Sequence, residues 1–507
     1  MCDRVKPVLI VGAGPTGLLL ALSLARRNTP FRIIDKTSGP GSTSRAIAVH
    51  ARTLELYGQL GIADHVVSEG SKVQVIHVRE AGELKGTLPW AINGVGLSPY
   101  AFALAYPQDA HERLLITKLD NASGRVERNT ELKSIEQHHD GVSAVVVASD
   151  RTEETIECSY VCGADGAKST VRHLSNISLP GGTYEQRFFV ADVIVSRVWD
   201  DINTCFTGND FSVSIKLGDD GQCRLIGTVP NNIAPDDVSF ESVHPSVEKN
   251  TKLGIMAVNW FATYKVHHRV ADHFRDRRVF LLGDAGHLHS PVGGQGMNTG
   301  IGDAVNLAWK LSAVLDGRAN STLLETYEAD RMPFARLLVS TTDRIFTLIQ
   351  DQGWAGSFIR RIFLPYIAPL LFKIPGVPKM AFLRASQILI NYRDSPLSQG
   401  STGTIRAGDR LPYVKNDDYD NFKSLTTLDW QLHVYGDVKS DLIETAKRRS
   451  LDIFVFPWSE ASRAAGLQRD ALYLIRPDGY IGFAQATADV VSLEAYMEGW
   501  GLVAARQ

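Results

Sequence analysis

The sequence predicts an α/β protein with more than one domain, and three observations support this fold class. The chain has 507 residues, which is too long for one ordinary hydrophobic core. Two glycine-rich segments, near residues 12 and 283, each follow a short apolar run and precede a helical pattern of apolar residues. The region between them contains stretches typical of β-strands instead. We therefore expect a parallel α/β sheet with a second, mixed sheet inserted beside it.

The first glycine-rich segment has the pattern of a dinucleotide-binding turn. The apolar run Val8–Val11 predicts a buried strand. Gly12, Gly14 and Gly17 follow it at the spacing Gly-x-Gly-x-x-Gly. In such turns the first glycine permits the tight turn, the second lets the backbone approach a pyrophosphate, and the third lets helix and strand pack. Asp35 ends the next predicted strand, about where an acidic side chain meets a ribose. A Rossmann-like unit that binds a dinucleotide is therefore expected.

The second glycine-rich segment joins a strand to a long helix. The apolar run Val279–Leu282 ends at Gly283 and Asp284, and a glycine-rich loop then leads to an amphipathic helix that begins near Gly296. A carboxylate at a strand end, opposite the free N–H groups of a helix start, suits a ligand with hydroxyl groups and an electron-rich edge. The alternative is a buried turn in which the glycines only relieve crowding.

Composition and charge favour a small-molecule partner. The chain carries a net charge of -3 and is 44% hydrophobic and 21% charged, so it has no general attraction to nucleic acid. The five cysteines form no Cys-x-x-Cys pair and fit structural thiols of a reducing compartment, so we expect a cytoplasmic protein. No group of residues has metal-ligand spacing, and no metal is expected.

One apolar run bears on membranes. Ile362–Ile374 is about 13 residues long, below the roughly 20 that a membrane-spanning helix needs, and it contains Pro365 and Pro369. We therefore expect a buried helix or a hydrophobic lid and no membrane span, with contact at a membrane surface as the remote alternative. The run Val8–Val11 is too short for a signal peptide.

The region between the two glycine-rich segments predicts a sheet. Gly218–Gly221 predicts a hairpin turn between two of its strands. Four runs with partial alternation predict strands: Phe188–Val195, Asp210–Leu217, Gln222–Val229 and Val258–Tyr264.

A third motif, Gly163–Gly166, reads Gly-Ala-Asp-Gly after an apolar strand. With the two glycine-rich segments, in this order and spacing, it resembles the motif set of the single-component flavoprotein aromatic hydroxylases, the class typified by p-hydroxybenzoate hydroxylase. Ser44–Glu55, which contains Arg45, and Tyr106–Gln108 resemble further segments of that family. The resemblance implies that the opening Rossmann-like domain binds FAD.

The resemblance also implies which residues hold the cofactor. Asp284 is assigned to the ribityl chain, and the amides of Gly296, Met297 and Asn298 are expected to stabilise the anionic edge of reduced flavin. One Rossmann-type fingerprint is present, so NAD(P)H is expected to dock transiently. The expected cofactor-binding residues are Gly12, Gly14, Thr16, Gly17, Asp35, Lys36, Arg45, Gln108, Asp165, Gly283, Asp284, Pro291, Gly294, Gly296, Met297 and Asn298.

The activity implied by the resemblance is a monooxygenase that uses NAD(P)H and O₂. It hydroxylates a phenolic or polyketide-type aromatic substrate through a flavin C4a-hydroperoxide, which must be kept from water. The family forms its substrate pocket on the inserted sheet, so Phe211, Arg224, Trp260 and Tyr264 are candidates to line it. Ordinary sheet packing is the alternative for each. Arg224 is also a candidate to stabilise a phenolate. No catalytic residue is assigned.

The end of the chain resembles the thioredoxin-like tail of the phenol and polyketide hydroxylase branch. Relatives continue after Arg476–Tyr480 with Val-Ala-Trp-Arg, whereas this chain has Ile481–Ala484. Without a Cys-x-x-Cys pair the tail is expected to be structural or dimer-forming. The expected domains are an FAD-binding domain (1-75, 101-178 and 278-345), a substrate-binding β-sheet domain (76-100 and 179-277), a helical connector (346-395) and a thioredoxin-like domain (396-507).

Two other functions stay open at this point. The same oxygen-activating cofactor can insert oxygen beside a ketone in the Baeyer–Villiger manner, and no motif in the sequence separates the two reactions. A flavin-binding interaction protein without catalytic activity is the more remote alternative.

Overall fold

A computed structural model describes residues 6–41, 46–207, 210–218, 220–351 and 353–504. Its strands form five β-sheets. The strands in chain order are β1 (Val8–Val11), β2 (Phe31–Asp35), β3 (Ala48–Val49), β4 (Ser71–Val73), β5 (Val75–Glu80), β6 (Glu83–Pro89), β7 (Ala103–Ala105), β8 (Val126–Arg128), β9 (Glu131–Gln137), β10 (Val142–Val147), β11 (Glu153–Cys158), β12 (Tyr160–Gly163), β13 (Gly181–Val195), β14 (Ile202–Thr207), β15 (Asp210–Lys216), β16 (Gln222–Thr228), β17 (Ile255–Val270), β18 (Arg275–Asp276), β19 (Val279–Leu281), β20 (His287–Leu288), β21 (Gln399–Thr402), β22 (Ile405–Arg406), β23 (Gln431–Tyr435), β24 (Asp452–Phe456), β25 (Leu472–Ile475) and β26 (Ile481–Gln485).

Helices surround these sheets. A π-helical stretch, Ile359–Ile367, lies between two of the α-helices. The α-helices in chain order are α1 (Pro15–Ala25), α2 (Ala51–Gln59), α3 (Ala63–Glu69), α4 (Gln108–Asn121), α5 (Thr170–Leu174), α6 (Phe240–Thr251), α7 (Gly296–Leu315), α8 (Thr326–Gln350), α9 (Trp354–Phe358), α10 (Ala368–Leu371), α11 (Val377–Ala385), α12 (Ser440–Arg448), α13 (Glu460–Ala464) and α14 (Val490–Trp500).

The first sheet has the strand order β18-β19-β12-β1-β2-β8 and is parallel except for β18. All four residues of β1 are buried, in a core cluster that also contains Leu18 of α1 and Val142 of β10, and this burial explains the unbroken apolar sequence of β1. The three sequence motifs follow β1, β12 and β19, which are direct neighbours. Since carboxyl ends of parallel strands lie at one edge, the three motifs meet there.

The second sheet is the predicted insertion. Its order is β20-β17-β13-β16-β15-β14-β5-β6, and it is mixed because β14 pairs with β5 in parallel. The four predicted strands correspond to β13, β15, β16 and β17, with β13 and β17 longer than predicted. Helix α6 packs against one face through Phe240, Val243 and Val247. The other face packs against Ile47 and Ala105 of the first part of the chain. The expected α/β fold class is confirmed.

The expected buried helix over Ile362–Ile374 is wrong in its burial. The run is helical from Ile362 to Leu371, because the π-helical stretch continues without a break into α10, and the alternative of a hydrophobic lid stays a prediction. The side chains of Ile362, Tyr366, Leu370 and Ile374 are 44% to 59% exposed. In the described part of the chain no helix is long and apolar enough to cross a membrane.

The last sheet has the order β22-β21-β26-β25-β23-β24, with β23 and β24 parallel and α12 between them. Its assignment as a thioredoxin-like domain, like the domain boundaries, stays a prediction. This unit packs on the first part of the chain through Trp430 and Leu397, which share a core cluster with Trp309 and Ala313 of α7.

Buried charges join this unit to α7 and α8. Asp330 of α8 accepts hydrogen bonds from Arg476 Nη2 at 2.8 Å and from Lys310 Nζ at 2.7 Å, and all three side chains are fully buried. Asp478 accepts from Trp309 Nε1 at 3.2 Å. Burial lowers the pKa of Lys310 to about 8, a shift that the nearby Asp330 opposes. The turn Arg476–Tyr480 therefore binds the C-terminal unit to the rest of the protein.

We expect Arg476→Met to lower the free energy of unfolding by about 3 to 5 kcal/mol, because it leaves Asp330 and Asp478 buried without their shared cation. Urea unfolding followed by tryptophan fluorescence measures this. The control is Arg463→Met, since Arg463 forms an exposed pair with Glu460 on α13. Its loss should be below about 1 kcal/mol. Equal losses in the two variants would contradict the importance of the buried network.

Candidate cofactor and substrate site

The glycine turn after β1 touches the Gly-Ala-Asp-Gly motif through backbone alone. Gly12 has a φ of 102°, a conformation that favours glycine. A Cβ atom there would overlap the carbonyl oxygen of Ala164, and a Cβ atom at Gly17 would overlap the carbonyl oxygen of Gly12. These two glycines are therefore required for packing, as predicted from their spacing.

Gly14 is different, because the space beside it is open. No atom lies within 4 Å of a Cβ atom built on Gly14. Gly14 is also the N-cap of α1, and no side chain caps that helix start. The first N–H groups of α1 are therefore available to a phosphate group, which the partial positive charge of a helix start attracts.

Thr16, near the start of α1, lies where the turn after β1 meets the turn after β19. A Cβ atom on Gly283 would come within 2.9 Å of Thr16 Oγ1, and one on Gly300 of α7 would overlap it. Gly283 has a φ of 56°. The structure therefore places Thr16, Gly283 and the start of α7 in one group, with Asp284 exposed beside them.

Asp35 closes the other end of the site. Its Oδ2 accepts from the N–H of Ala13 at 2.7 Å, and its Oδ1 accepts from the N–H of Thr37 at 2.8 Å. The Arg128 guanidinium lies 3.8 Å from Asp35. The neighbouring Lys36 is exposed. Asp35 thus fixes the glycine turn, at the position where a ribose contact is predicted.

Gln108 begins α4 and contacts the segment that precedes β3. Its N–H donates to the Ala46 carbonyl at 3.1 Å, and its Nε2 donates to Glu112 Oε1 at 2.8 Å. The predicted flavin contact Arg45 lies outside the described residues. Gln108 is therefore brought next to the segment in which that contact is predicted.

The loop from Pro291 to Gly296 is held by Asn298. The Asn298 side chain accepts from His50 N–H at 2.9 Å and from Thr53 Oγ1 at 2.7 Å, and it donates to the carbonyls of Ala48 and Gly294 at 2.8 Å each. Its side chain is 1% exposed and is fully used within the protein. A cofactor contact from Asn298 or from the adjacent, half-buried Met297 would therefore involve backbone groups.

His50 is buried against the same loop, and no sequence pattern indicates its role. His50 Nε2 lies 2.7 Å from the Gly293 carbonyl oxygen, which requires a proton on that nitrogen. Burial lowers the pKa of His50 to about 4, so the ring is neutral near pH 7. The pattern Val-His-Ala-Arg before α2 contains this residue but does not reveal its partner.

A second set of buried residues fixes the turn after β19. Asp303 of α7 accepts from Gly283 N–H at 2.9 Å, from His287 Nε2 at 2.9 Å and from Arg331 Nε at 2.6 Å. Burial raises the pKa of Asp303, but the Arg331 charge and the hydrogen bonds from His287 and Gly283 outweigh this effect and bring it to about 2. Helix-face periodicity alone could not distinguish Asp303 from an exposed acid.

These features fit a dinucleotide cofactor. The open space at Gly14 and the uncapped start of α1 suit a pyrophosphate. Asp165 of the Gly-Ala-Asp-Gly motif accepts a hydrogen bond from Val171 N–H at 3.1 Å through Oδ2. Its Oδ1 is buried and has no hydrogen-bond partner among the described residues. A buried carboxylate oxygen without a partner is costly, and a ligand hydroxyl or amide donor removes that cost.

The four predicted substrate residues share one face of the inserted sheet. Asp192 of β13 is opposite both Arg224 and Trp260, and Phe188 is opposite Tyr264. Residues directly opposite in antiparallel strands point to the same side. Phe211, on β15, packs with Tyr264 in an aromatic cluster around Phe188, Tyr184 and Phe346. This face is the one that α6 does not cover.

Arg224 is buried and already paired. Its Nε donates to Asp192 Oδ1 and its Nη2 donates to Asp192 Oδ2, both at 2.7 Å. Its Nη1 donates to the Ala46 carbonyl at 3.3 Å. Because Asp192 balances its charge, the geometry favours a role in positioning the Ala46 segment over the predicted stabilisation of a phenolate.

The cofactor class is decided by comparison with known families. A family model described as an FAD binding domain matches residues 6–342. The chain belongs to this family. The match spans all three motifs and the inserted sheet, so FAD is the cofactor of this chain. The contacts of the Gly14 turn and of Asp165 with FAD stay a prediction.

Named relatives agree with this assignment. The chain is 34% identical over 418 residues to 6-methylpretetramide 4-monooxygenase of Streptomyces rimosus. The aligned region covers 79% of this chain and 72% of the relative. It is 33% identical to pentachlorophenol 4-monooxygenase of Sphingobium chlorophenolicum, with 80% and 75% covered. The solved anhydrotetracycline hydroxylase from Streptomyces rimosus is 27% identical, with a TM-score of 0.78 over 99% of this chain and 100% of that chain. The expected FAD-dependent monooxygenase is confirmed.

We expect Gly14→Ala to weaken FAD binding at least about tenfold while the protein keeps its stability. The added methyl group meets no protein atom, but it fills the space that suits the pyrophosphate. Fluorescence titration of the FAD-free protein measures the affinity, and thermal unfolding of the same sample measures stability. Gly499→Ala, which is equally unobstructed but lies on α14, is the control. Unchanged affinity in Gly14→Ala would contradict this position for the cofactor.

We expect the folded protein to lose stability in acid because four of its histidines are buried. Burial lowers the pKa of His50 and His289 to about 4 and that of His111 and His433 to about 3. In the unfolded chain each of these histidines has a pKa of about 6.5. Below that pH each binds a proton in the unfolded state that it does not bind in the folded state. Stability is therefore complete above about pH 6.5 and falls as the pH drops toward about 4, by about 1.4 kcal/mol per pH unit for each histidine.

Urea unfolding between about pH 6.5 and pH 4.5 measures this slope. The His111→Leu variant should have a slope smaller by one proton, because His111 is fully buried. The His65→Leu variant should keep the slope, because that side chain is 47% exposed. A slope unaffected by His111→Leu would disprove the assignment of a neutral buried ring.

Proposed function

We propose that the protein transfers one oxygen atom of O₂ to a phenolic or polyketide-type aromatic ring, with NAD(P)H as the electron donor. The observation that carries this proposal is the face of the inserted sheet that α6 does not cover, where the aromatic cluster around Phe188 lies on the same side as Arg224. The Arg224 guanidinium and the N–H of Gln108 both donate to the Ala46 carbonyl. The names of two relatives support the ring type, since one acts on 6-methylpretetramide and the other on pentachlorophenol.

FAD, when bound, supplies two-electron redox chemistry that activates O₂. The chain supplies the surroundings of that chemistry. The N–H groups at the start of α7 offer partial positive charge to an anionic ring edge, and Asn298 and His50 hold the loop that presents them. The aromatic side chains of the sheet keep water from the reacting atoms, because water would divert the oxidant.

The Arg224 and Asp192 pair has a positioning role in this proposal. It joins the substrate face of the sheet to the Ala46 carbonyl through one buried guanidinium. A planar, two-pronged pair fixes the distance between these two parts more firmly than a single hydrogen bond would. The dimer-forming role of the C-terminal unit stays a prediction.

We expect phenols or fused-ring polyketide aromatics to accelerate NAD(P)H oxidation by the FAD-loaded protein by at least about tenfold, as a gain from substrate-dependent flavin reduction. With ¹⁸O₂ the product should carry one ¹⁸O atom in a ring hydroxyl. An ¹⁸O atom in a new ester would establish the Baeyer–Villiger alternative. If no aromatic compound accelerates NADPH oxidation, the non-catalytic flavin-binding alternative replaces this proposal. FAD-free protein is the control for background oxidation.

A further inference from the structure

The helical segment after the FAD-binding region is basic throughout. The family match ends at residue 342, so this segment lies beyond it. Residues 352–393 contain no aspartate or glutamate. They contain six basic residues: Arg360, Arg361, Lys373, Lys379, Arg384 and Arg393. Five of these side chains, Arg361, Lys373, Lys379, Arg384 and Arg393, are exposed, and Arg393 pairs with Asp409. A chain with a net charge of -3 thus concentrates positive charge on one part of its surface.

The same segment exposes a row of large apolar side chains. The row occurs at every fourth position from α9 through the π-helical stretch and α10 to Ile374, which lies three residues past the end of α10, and residues four apart on a helix lie near one face. Trp354 is 85% exposed, which is unusual for the largest apolar side chain. The row consists of Trp354 (85% exposed), Phe358 (45%), Ile362 (44%), Tyr366 (49%), Leu370 (59%) and Ile374 (49%).

The opposite side of the segment is fixed to the protein. Pro365 is buried, and its carbonyl oxygen lies 2.6 Å from where a Cβ atom of Gly86 on β6 would be. Arg360 is 2% exposed and donates to the Asp351 carbonyl at 2.8 Å. Since one side of the segment packs firmly, the exposed apolar row is a built surface of the folded protein.

Neighbouring residues enlarge this surface. Ile92 and Val95 are each 72% exposed, and the turn between them packs on α11 at Phe382. Met380 on α11 is 45% exposed. Monomeric proteins rarely leave so many large apolar side chains together in water, so the surface indicates a partner.

We propose that this surface docks the protein on an anionic lipid bilayer. An apolar row that contains tryptophan and is flanked by lysine and arginine is the composition of interfacial segments that lie in the headgroup region. Docking would be peripheral, since no described helix can cross a bilayer. A second copy of the chain is a poorer occupant, because a two-fold contact would bring the same basic residues of both copies together. The inference does not depend on the proposed substrate.

The test is sedimentation of the full-length, FAD-loaded protein with lipid vesicles. We expect binding to vesicles of phosphatidylcholine with about 30% phosphatidylglycerol, and at least about tenfold weaker binding to phosphatidylcholine alone. Raising the salt concentration to about 0.5 M should release most of the protein, because the ionic part of the attraction is screened. The tryptophan emission of bound protein should shift to shorter wavelength.

Matched variants separate the apolar and the ionic contributions. Lys373→Gln with Lys379→Gln should weaken binding about 25-fold, at about fivefold for each basic residue. Trp354→Ser should weaken it at least about tenfold and abolish the emission shift. The controls are Lys439→Gln with Lys447→Gln, and Val491→Ser, because these exposed residues lie in the C-terminal unit. All variants should keep FAD content and melting temperature.

Three results would overturn the proposal. The first is no binding to the anionic vesicles, and the second is equal binding to both kinds of vesicle. The third is a dimer in sedimentation velocity that Trp354→Ser dissociates, which would assign the surface to a second copy of the chain. Failure of the ¹⁸O₂ experiment would leave the vesicle result unaffected, so the two inferences are tested separately.

Discussion

Close backbone approach at the edge of the first sheet is the constraint on which the site depends. The turn at Gly12 touches Ala164, and Gly283 touches Thr16, so three segments far apart in sequence meet with almost no side chain between them. At this edge the start of α1 has no side-chain cap, and Asp165 Oδ1 has no hydrogen-bond partner among the described residues. Larger residues at Gly12 or Gly17 would push the turn after β1 away from Ala164 and from α1, because a Cβ atom at either position overlaps a backbone carbonyl oxygen.

Much of the fold and of the cofactor site could be predicted from the sequence, because both are local patterns. A glycine fingerprint lies within a few residues of its strand, and Phe211, Arg224, Trp260 and Tyr264 lie in runs with strand periodicity. The pairing of β13 with β16 and β17 does bring these four to one face. The prediction of burial along Ile362–Ile374 is wrong for the exposed side chains of this run. Apolar composition leads to burial only where another element covers the apolar side chains.

The buried polar contacts could not be predicted in the same way. Asp303 with Arg331, Asp192 with Arg224, and Glu55 with Arg410 each join residues that the sequence separates widely. A periodic pattern says which positions face inward, but it does not say which inward carboxylate meets which guanidinium. For Arg224 this difference matters, because a cation that looks available in the sequence is balanced in the folded protein.

The buried contact between Asp330 and Arg476 also has a consequence for synthesis of the chain. Arg476 follows its partner by 146 residues. At about 5 to 20 residues per second, a ribosome needs roughly 7 to 30 seconds to supply it. During that interval α7 and α8 carry Lys310 and Asp330 without the guanidinium that completes their network. The buried network of α7 and α8 is therefore completed only after the last part of the chain has emerged from the ribosome. Until then the nascent chain is incompletely folded, which is the state that chaperones bind.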